Sequence, residues 1–502
     1  MFSNYHSYFL DNTSPALRML LVFVVVLCFV RSWMRRSRGK TPPGPLCLPI
    51  LGYLLQIRNN YHVKLTQLHK QFGSVYQIYL GTKRVVVIND PQLIRDAFRQ
   101  KVFSGRPDTG LTKLLQGLGV INSVGELWHE QRAFLHTFLR NFGAKNMGPN
   151  KTTLERNMQE QVSELLTSLS ETNGSPINIR PKFATAVSNV IGSLLMNTTF
   201  SNDQAFIRLM HVIEEGFKLL TVAAPVNFMP FLRYVPFMRY SYCKIENNRK
   251  ETSKYFAHIA DKHRKDLNSE NVRDFVDSFL VQQQKAKTLD KKTYFSDEQL
   301  LQVMGDVFSA GLETVTSALE WSVLFLVTHP HVQNRLREEI DDIVGTERKP
   351  ELDDLPRMKY TEATILEVLR RGNIITLGNA HAAIEDTSIN GFFIPKGTHI
   401  MPNLYSIHMD PTLWNSPEEF LPERFLVNGA ISKPNHFMPF SVGRRMCVGD
   451  TLTKMEIFLF LTGVLQKFEL RVPEGEEPPS LEGITHISMT AKPFKVSVVP
   501  RR

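Results

Sequence analysis

The sequence predicts a mostly α fold with small β-sheets, built on a long central helix and preceded by one N-terminal transmembrane helix. Three features support this. Helical periodicity dominates from about residue 90 to 372, while strand-like composition is confined to short stretches. Residues 297–328 run without proline up to His329-Pro330, and as one helix they span on the order of 45 Å, enough to cross a domain. Near the start, Met19 to Val30 is an unbroken apolar run.

That apolar segment extends from Ala16 to Met34. Its uninterrupted part is short for a bilayer, so a signal-peptide core competes with a retained helix. Basic residues follow it instead of a small-residue cleavage site, and Arg18 and Arg31 can snorkel to lengthen it. Retention is therefore expected. The cluster Arg31, Arg35, Arg36, Arg38 and Lys40 holds its own side in the cytosol. The Asn12-Thr13-Ser14 sequon then faces the lumen, and those at Asn150 and Asn197 do not. Residues 1–40 are thus expected to be luminal tail, anchor and basic stop-transfer. Residues 41–502 are expected to form the cytosolic part, entered through the rigid Pro42-Pro43-Gly44-Pro45 turn.

With 502 residues, 42% of them hydrophobic, the chain can bury a sizeable core as one large domain or two smaller ones. The net charge of +10 fits nucleic acid, an acidic membrane surface or an acidic protein partner. Part of the excess sits beside the anchor. Neither zinc-finger spacing nor an aromatic–basic ribonucleoprotein motif occurs, so no nucleic acid is expected. The cysteines, at 28, 47, 243 and 447, are too far apart for a disulfide framework or a metal clip. The first three are expected to be small buried hydrophobes.

Ser74 to Ile88 predicts a hairpin turning at Gly81, and strand character returns from Phe392 to Ile400 around Pro395-Lys396-Gly397. A last helix is expected from about Asp450 to Gln466, followed by a strand-like tail from Ile487 to Val499. Between two helical stretches, Ala223 to Phe237 concentrates prolines and aromatics. It is either a buried connection or a second membrane contact.

Two segments carry candidate chemistry. Within the long helix, Ala310-Gly311-Leu312-Glu313-Thr314 places a helix-weakening glycine beside an acid and an alcohol, which propensity alone would not select. Near the C-terminus, Phe440-Ser441-Val442-Gly443-Arg444-Arg445-Met446-Cys447-Val448-Gly449 sets one cysteine between glycines, directly before a helix. Free amides and the helix dipole are expected to lower the Cys447 thiol pKa. From the residues alone, Cys447 is either an axial thiolate to haem iron or a nucleophile.

The decapeptide resembles the haem-binding loop of the cytochrome P-450 family at Phe440, Gly443, Arg445, Cys447 and Gly449. Glu367-Val368-Leu369-Arg370 resembles the family's Glu-x-x-Arg helix. Glu270-Asn271-Val272-Arg273 fits that spacing too; order along the chain favours the former, which lies upstream of Pro422-Glu423-Arg424-Phe425, a match to the next family motif. Glu367 and Arg370, three apart on one helix face, are expected to form a structural triad with Arg424. The likeness covers nearly the whole chain, and Pro42 to Pro45 is similar to the hinge of microsomal members.

By this resemblance the cofactor is haem b, with Cys447 its metal ligand. Trp128 and Arg132 resemble the helix that binds a haem propionate, and Arg106, His381 and Arg445 are implied as further propionate partners. Ala310 and Gly311 are implied to line the oxygen side, with space for dioxygen at Gly311. Thr314 and Glu313 are implied as the catalytic alcohol and acid of proton delivery. Val315 departs from the hydroxyl residue often found at its position.

The resemblance implies a monooxygenase of the endoplasmic reticulum membrane, hydroxylating or epoxidising a steroid, terpenoid, fatty acid or foreign compound. Electrons would come from an NADPH-cytochrome reductase, with cytochrome b5 as a further partner, since the chain has no dinucleotide or flavin fingerprint of its own. Arg140 and Arg444 are candidates for the docking surface. Pocket walls are implied at Thr109 to Val124, Val307 and Phe308, Ile374 to Asn379, and His486 to Met489. A reductase-independent isomerase or dehydratase and a non-enzymatic haem sensor are the competing readings.

Overall fold

The computed structural model describes residues 39–57, 60–198, 203–290 and 292–501, with four isolated positions between 14 and 23. The expected anchor, its basic cluster up to Arg38 and the Asn12 sequon therefore lie almost wholly outside the described residues. Among the described residues one helix, Asp297–Thr328, is long and apolar enough to cross a membrane, but 83% of its apolar window is buried inside the fold. It belongs to the core.

The chain opens with α1 (Tyr61–Phe72), β1 (Val75–Leu80), β2 (Lys83–Ile88) and α2 (Pro91–Arg99). The hairpin pairs Val75 with Ile88 through Leu80 with Lys83, and Gly81 turns it at φ +59°. β2 then pairs in parallel with β6 (His399–Pro402), which takes β3 (His381–Ala382) antiparallel on its other side. The proline turn does not hang free of this sheet. Gln77 donates its N–H to Pro43 O at 2.8 Å, and a Cβ on Gly44 would lie 1.9 Å from Gln77 O.

Helices α3 (Gly125–Asn141), α4 (Lys151–Ser170), α5 (Arg180–Met196), α6 (Gln204–Val222), α7 (Pro236–Asp266) and α8 (Phe275–Thr288) follow. They surround α9 (Asp297–Thr328), whose start is capped by the Ser296 hydroxyl on Gln299 N–H. α9 packs most extensively along α5. From Val315 to Val327 it is buried on every side, which is why its sequence is apolar all round.

Beyond α10 (Pro330–Ile343) and α11 (Lys359–Gly372), the ribbon β4 (Thr387–Ile389)–β5 (Phe392–Ile394) precedes β6. A short helix α12 (Leu404–His408), a small ribbon β7 (Leu426–Val427)–β8 (Ala430–Ile431) and α13 (Asp450–Lys467) lead to the tail. The tail is not one strand. β10 (Gly483–Thr485) pairs with β11 (Met489–Ala491), whereas β12 (Ser497–Pro500) returns to β9 (Phe468–Arg471).

The aromatic connection after α6 divides in two. Val226 and Met229 are buried, and the Phe228 carbonyl lies where a Cβ on Gly81 would come within 2.6 Å of it. Phe231, Tyr234, Val235 and Phe237 are exposed instead. Cys243, expected to be buried, is also exposed, near the start of α7; Cys47 is half-buried.

Candidate active site

The cysteine loop is shaped by its backbone. Gly443 sits at φ +79°, where a Cβ would come within 2.3 Å of Phe98 O, so only glycine fits this close approach. A 3-10 turn over Gly443–Arg445 follows, and Cys447 donates its N–H to Phe440 O at 3.0 Å. The helix α13 starts three residues later. The Cys447 side chain has open surface, yet protein atoms crowd around it; it faces a hollow.

Contrary to the expectation from the helix dipole, the thiol pKa is pushed up. Burial dominates, and Asp450 adds to it, against the lowering effects of the Gly449 N–H, Lys145 and Arg132. Burial thus works against the thiolate form here. A coordinated cation would supply the missing charge.

Around this loop the structure gathers three arginines, a histidine and a tryptophan. On α3, Trp128 and Arg132 are one turn apart; Arg132 donates to Met446 O at 2.6 Å. The Arg445 guanidinium lies 3.9 Å over the Trp128 ring and donates to Ser104 O at 2.9 Å and Ser123 O at 2.7 Å. Arg106 donates to Ile121 O at 2.9 Å and Ala380 O at 2.7 Å. His381, on β3, bonds Phe103 O through Nδ1 at 2.7 Å and stacks on Phe98 at 3.7 Å.

None of these cations pairs with a carboxylate among the described residues. The cost is visible in their titration. Burial and the neighbouring Arg106 push Arg445 down to about 8, and Arg106 itself falls to about 10 through burial and Arg132. Burial and Arg106 push His381 down to about 3, so the ring is neutral. The Trp128 indole N–H is buried with no acceptor. An unpaired buried donor amid uncompensated cations is the signature of an absent anionic ligand. Two carboxylates, a planar body between α3, α9 and the cysteine loop, and an iron for Cys447 fit this donor set. Haem answers that description.

The helix α9 presents its short face here. Ala310 is exposed in an otherwise core helix and Thr314 is half-buried, its hydroxyl donating to Ala310 O at 2.8 Å. Gly311 does not open space toward this hollow. A Cβ there would lie 2.8 Å from Ile191 Cδ1, so the glycine serves the close packing of α9 on α5. Glu313 points elsewhere too. Its carboxylate accepts from Arg180 Nη2 at 3.0 Å and Ser488 Oγ at 2.8 Å.

The structural triad is fully buried at Glu367 and Arg370. Arg370 meets Glu367 twice, at 2.7 and 2.8 Å, and also donates to His408 O and Pro417 O. Arg424 Nε reaches Glu367 Oε1 at 3.0 Å. The competing Glu270 makes no such pair, since Arg273 instead bonds Asp266 and Asp277. Among the described residues one buried cluster has metal-ligand spacing, His263 with Asp274 and Asp277. Its donors are spoken for by the His263–Asp274 contact at 2.7 Å and by Arg273.

Fold and site together fit a haem-binding protein. A family model described as "Cytochrome P450" matches residues 42–498. The chain is 40% identical to "Cytochrome P450 18a1" of Drosophila melanogaster, over 98% of this chain and 94% of that one. It is 35% identical to "Cytochrome P450 2J5" of Mus musculus, over 97% and 96%. To "Farnesoate epoxidase" of Bombyx mori it is 34% identical, over 96% and 99%. The chain belongs to the cytochrome P-450 family, whose members bind haem b and act as monooxygenases.

Sequence reasoning missed several partners of this site. Phe98, Ser104, Ile121 and Ser123 act through backbone carbonyls or ring stacking, for which residue type gives no signal.

Proposed function

We propose that residues 41–502 form a cytosolic catalytic domain that oxygenates a lipophilic small molecule, with electrons delivered by a separate NADPH-dependent reductase. The observation that carries this reading is the set of uncompensated cations and the orphaned Trp128 N–H beside Cys447. Trp128, Arg132, Arg106, Arg445 and His381 would hold the propionates, and the Cys447 sulfur would bind the iron. Bound there, haem supplies the activation of dioxygen for insertion of one oxygen atom. The cysteine loop, fixed by the Cys447–Phe440 backbone bond, sets the direction of the sulfur. Phe440 and Ala310 exclude water, and Thr314 Oγ1 carries an exchangeable proton.

A terpenoid, steroid, fatty acid or foreign compound fits the apolar walls, and a relative named for farnesoate makes a sesquiterpenoid acid or ester the first class to screen. Exposed Phe231, Tyr234, Val235 and Phe237 support a second membrane contact beside an N-terminal anchor in the endoplasmic reticulum. Arg140 and Arg444 are both exposed, the latter in the turn before Cys447, and support docking of an acidic reductase there. Reversing both charges is expected to slow reduction in a salt-dependent way.

The deciding experiment is the spectrum of the reduced, carbon-monoxide-bound protein for wild type and Cys447→Ala. A far red-shifted Soret band present in wild type and lost in the variant is expected. Its absence from folded, haem-supplied wild type would overturn the reading.

A further inference from the structure

Four buried polar side chains recur along α9 at intervals of seven: Gln299, Asp306, Glu313 and Glu320. Seven residues return to the same face within about 20°. They form one polar stripe on a helix otherwise largely apolar, and such groups persist in an interior only when hydrogen-bonded. Their partners fall at two ends.

At the first end the stripe holds residues 119–121. Gly119 N–H donates to Gln299 Oε1 at 2.9 Å, and Gln299 Nε2 returns a bond to Gly119 O at 3.0 Å. Asp306 Oδ2 accepts from Val120 N–H at 2.8 Å and Ile121 N–H at 3.0 Å. A Cβ on Gly119 would lie 2.3 Å from that oxygen. The opposite side of the same peptides is also taken, since Ile121 O and Ser123 O accept from Arg106 and Arg445.

At the second end the stripe holds the β10–β11 turn. Glu313 accepts from Ser488, and Arg180 ties Glu313 to Glu320, which it meets at 2.7 Å. The next residue, Met489, donates its N–H to Ile374 O at 2.7 Å and accepts from Trp321 Nε1 at 3.1 Å. Between the two ends lies the exposed Ala310, one turn after Asp306.

We propose that Asp306 and Glu313, the latter held by Arg180, are positioning residues that fix opposite walls of the substrate chamber and thereby select substrates by size. This rests on the monooxygenase reading, in which residues 109–124 and 486–489 wall the pocket. It differs from proton delivery, because it acts through the partners of the carboxylates and not through their protons.

Ser488→Ala tests it while leaving Glu313 in place, and Asp306→Ala tests the other end. The haem-loaded protein is titrated spectroscopically with imidazole, which is too small to reach the walls, and with 1-dodecylimidazole, which must contact them. Loss of a buried hydrogen bond is expected to change the affinity for the long ligand about fivefold, leaving imidazole unchanged. Amide hydrogen exchange should accelerate around 485–491 in Ser488→Ala and around 119–123 in Asp306→Ala, each confined to its own end. Parallel shifts for both ligands, unchanged affinity for both, or unchanged exchange would overturn the proposal. Should wild type give no imidazole spectrum, the functional reading fails, and the exchange result still decides whether the stripe holds the two segments. If Asp306→Ala does not fold, Asp306→Asn, which removes the charge at nearly constant volume, takes its place and is read by the same two measurements.

Discussion

The Arg445 guanidinium rests 3.9 Å above the Trp128 ring while the indole N–H of that ring, buried, has no acceptor. One residue is thus used as an apolar and π surface by its neighbour and left polar-unsatisfied at its edge. Trp128→Phe keeps a ring for Arg445 and removes the orphan. Without haem the variant is expected to be more stable by about 1 kcal/mol, since an unmet buried donor is lost. With haem it is expected to release the cofactor about tenfold faster, having lost a bond to a charged group. Chemical unfolding of the apo form and haem transfer to excess apomyoglobin check the two signs separately.

The Glu367–Arg370–Arg424 triad makes an asymmetric prediction. Removing one member of a buried ion pair strands the other, at a cost of about 3–5 kcal/mol. Glu367→Gln strands two guanidiniums and should be the worst. Arg424→Leu should cost less, because Arg370 still meets Glu367 through two bonds. Denaturant midpoints of the variants give the order.

Glu456 on α13 is buried, its Oε1 has no partner, and burial pushes its pKa up to about 8. The folded chain therefore retains a proton that the unfolded chain releases near the ordinary glutamate value. Its contribution to stability is greatest at low pH and is lost as pH rises toward about 8. Glu456→Gln should flatten this slope. Melting temperatures at pH 5.5 and 8, compared with wild type, are expected to show the variant gaining relative stability at the higher pH.

Gly311→Ala should be destabilising by about 1–3 kcal/mol, as overpacking against Ile191 Cδ1. Ile191→Val shortens that side chain and should recover part of the loss. A double-mutant cycle read by unfolding would show coupling between the two sites. Additive effects would mean that the glycine serves another purpose.

How far the sequence reaches is clear from individual elements. The hairpin around Gly81, the helix from Asp297 to Thr328 and the helix after Gly449 were legible because each is governed by local spacing: turn residues, the absence of proline, a cap. The cysteine loop was legible for the same reason, Gly443 being required by its positive φ and by its close approach to Phe98. The division of the 223–237 connection into a buried and an exposed half was not, because both halves are mostly apolar and composition does not say which one meets a neighbour.

By itself, then, the sequence determined the elements, the family motifs and the identity of the residues that carry them. Only the tertiary structure decided what lies opposite each one: Ile191 against Gly311, Arg180 and Ser488 against Glu313, carbonyls instead of carboxylates against Arg106 and Arg445. It also reversed the expected direction of the Cys447 pKa. Helical periodicity fixes which side chains share a face, but the partner of that face, and the desolvation it imposes, arise only when distant segments pack.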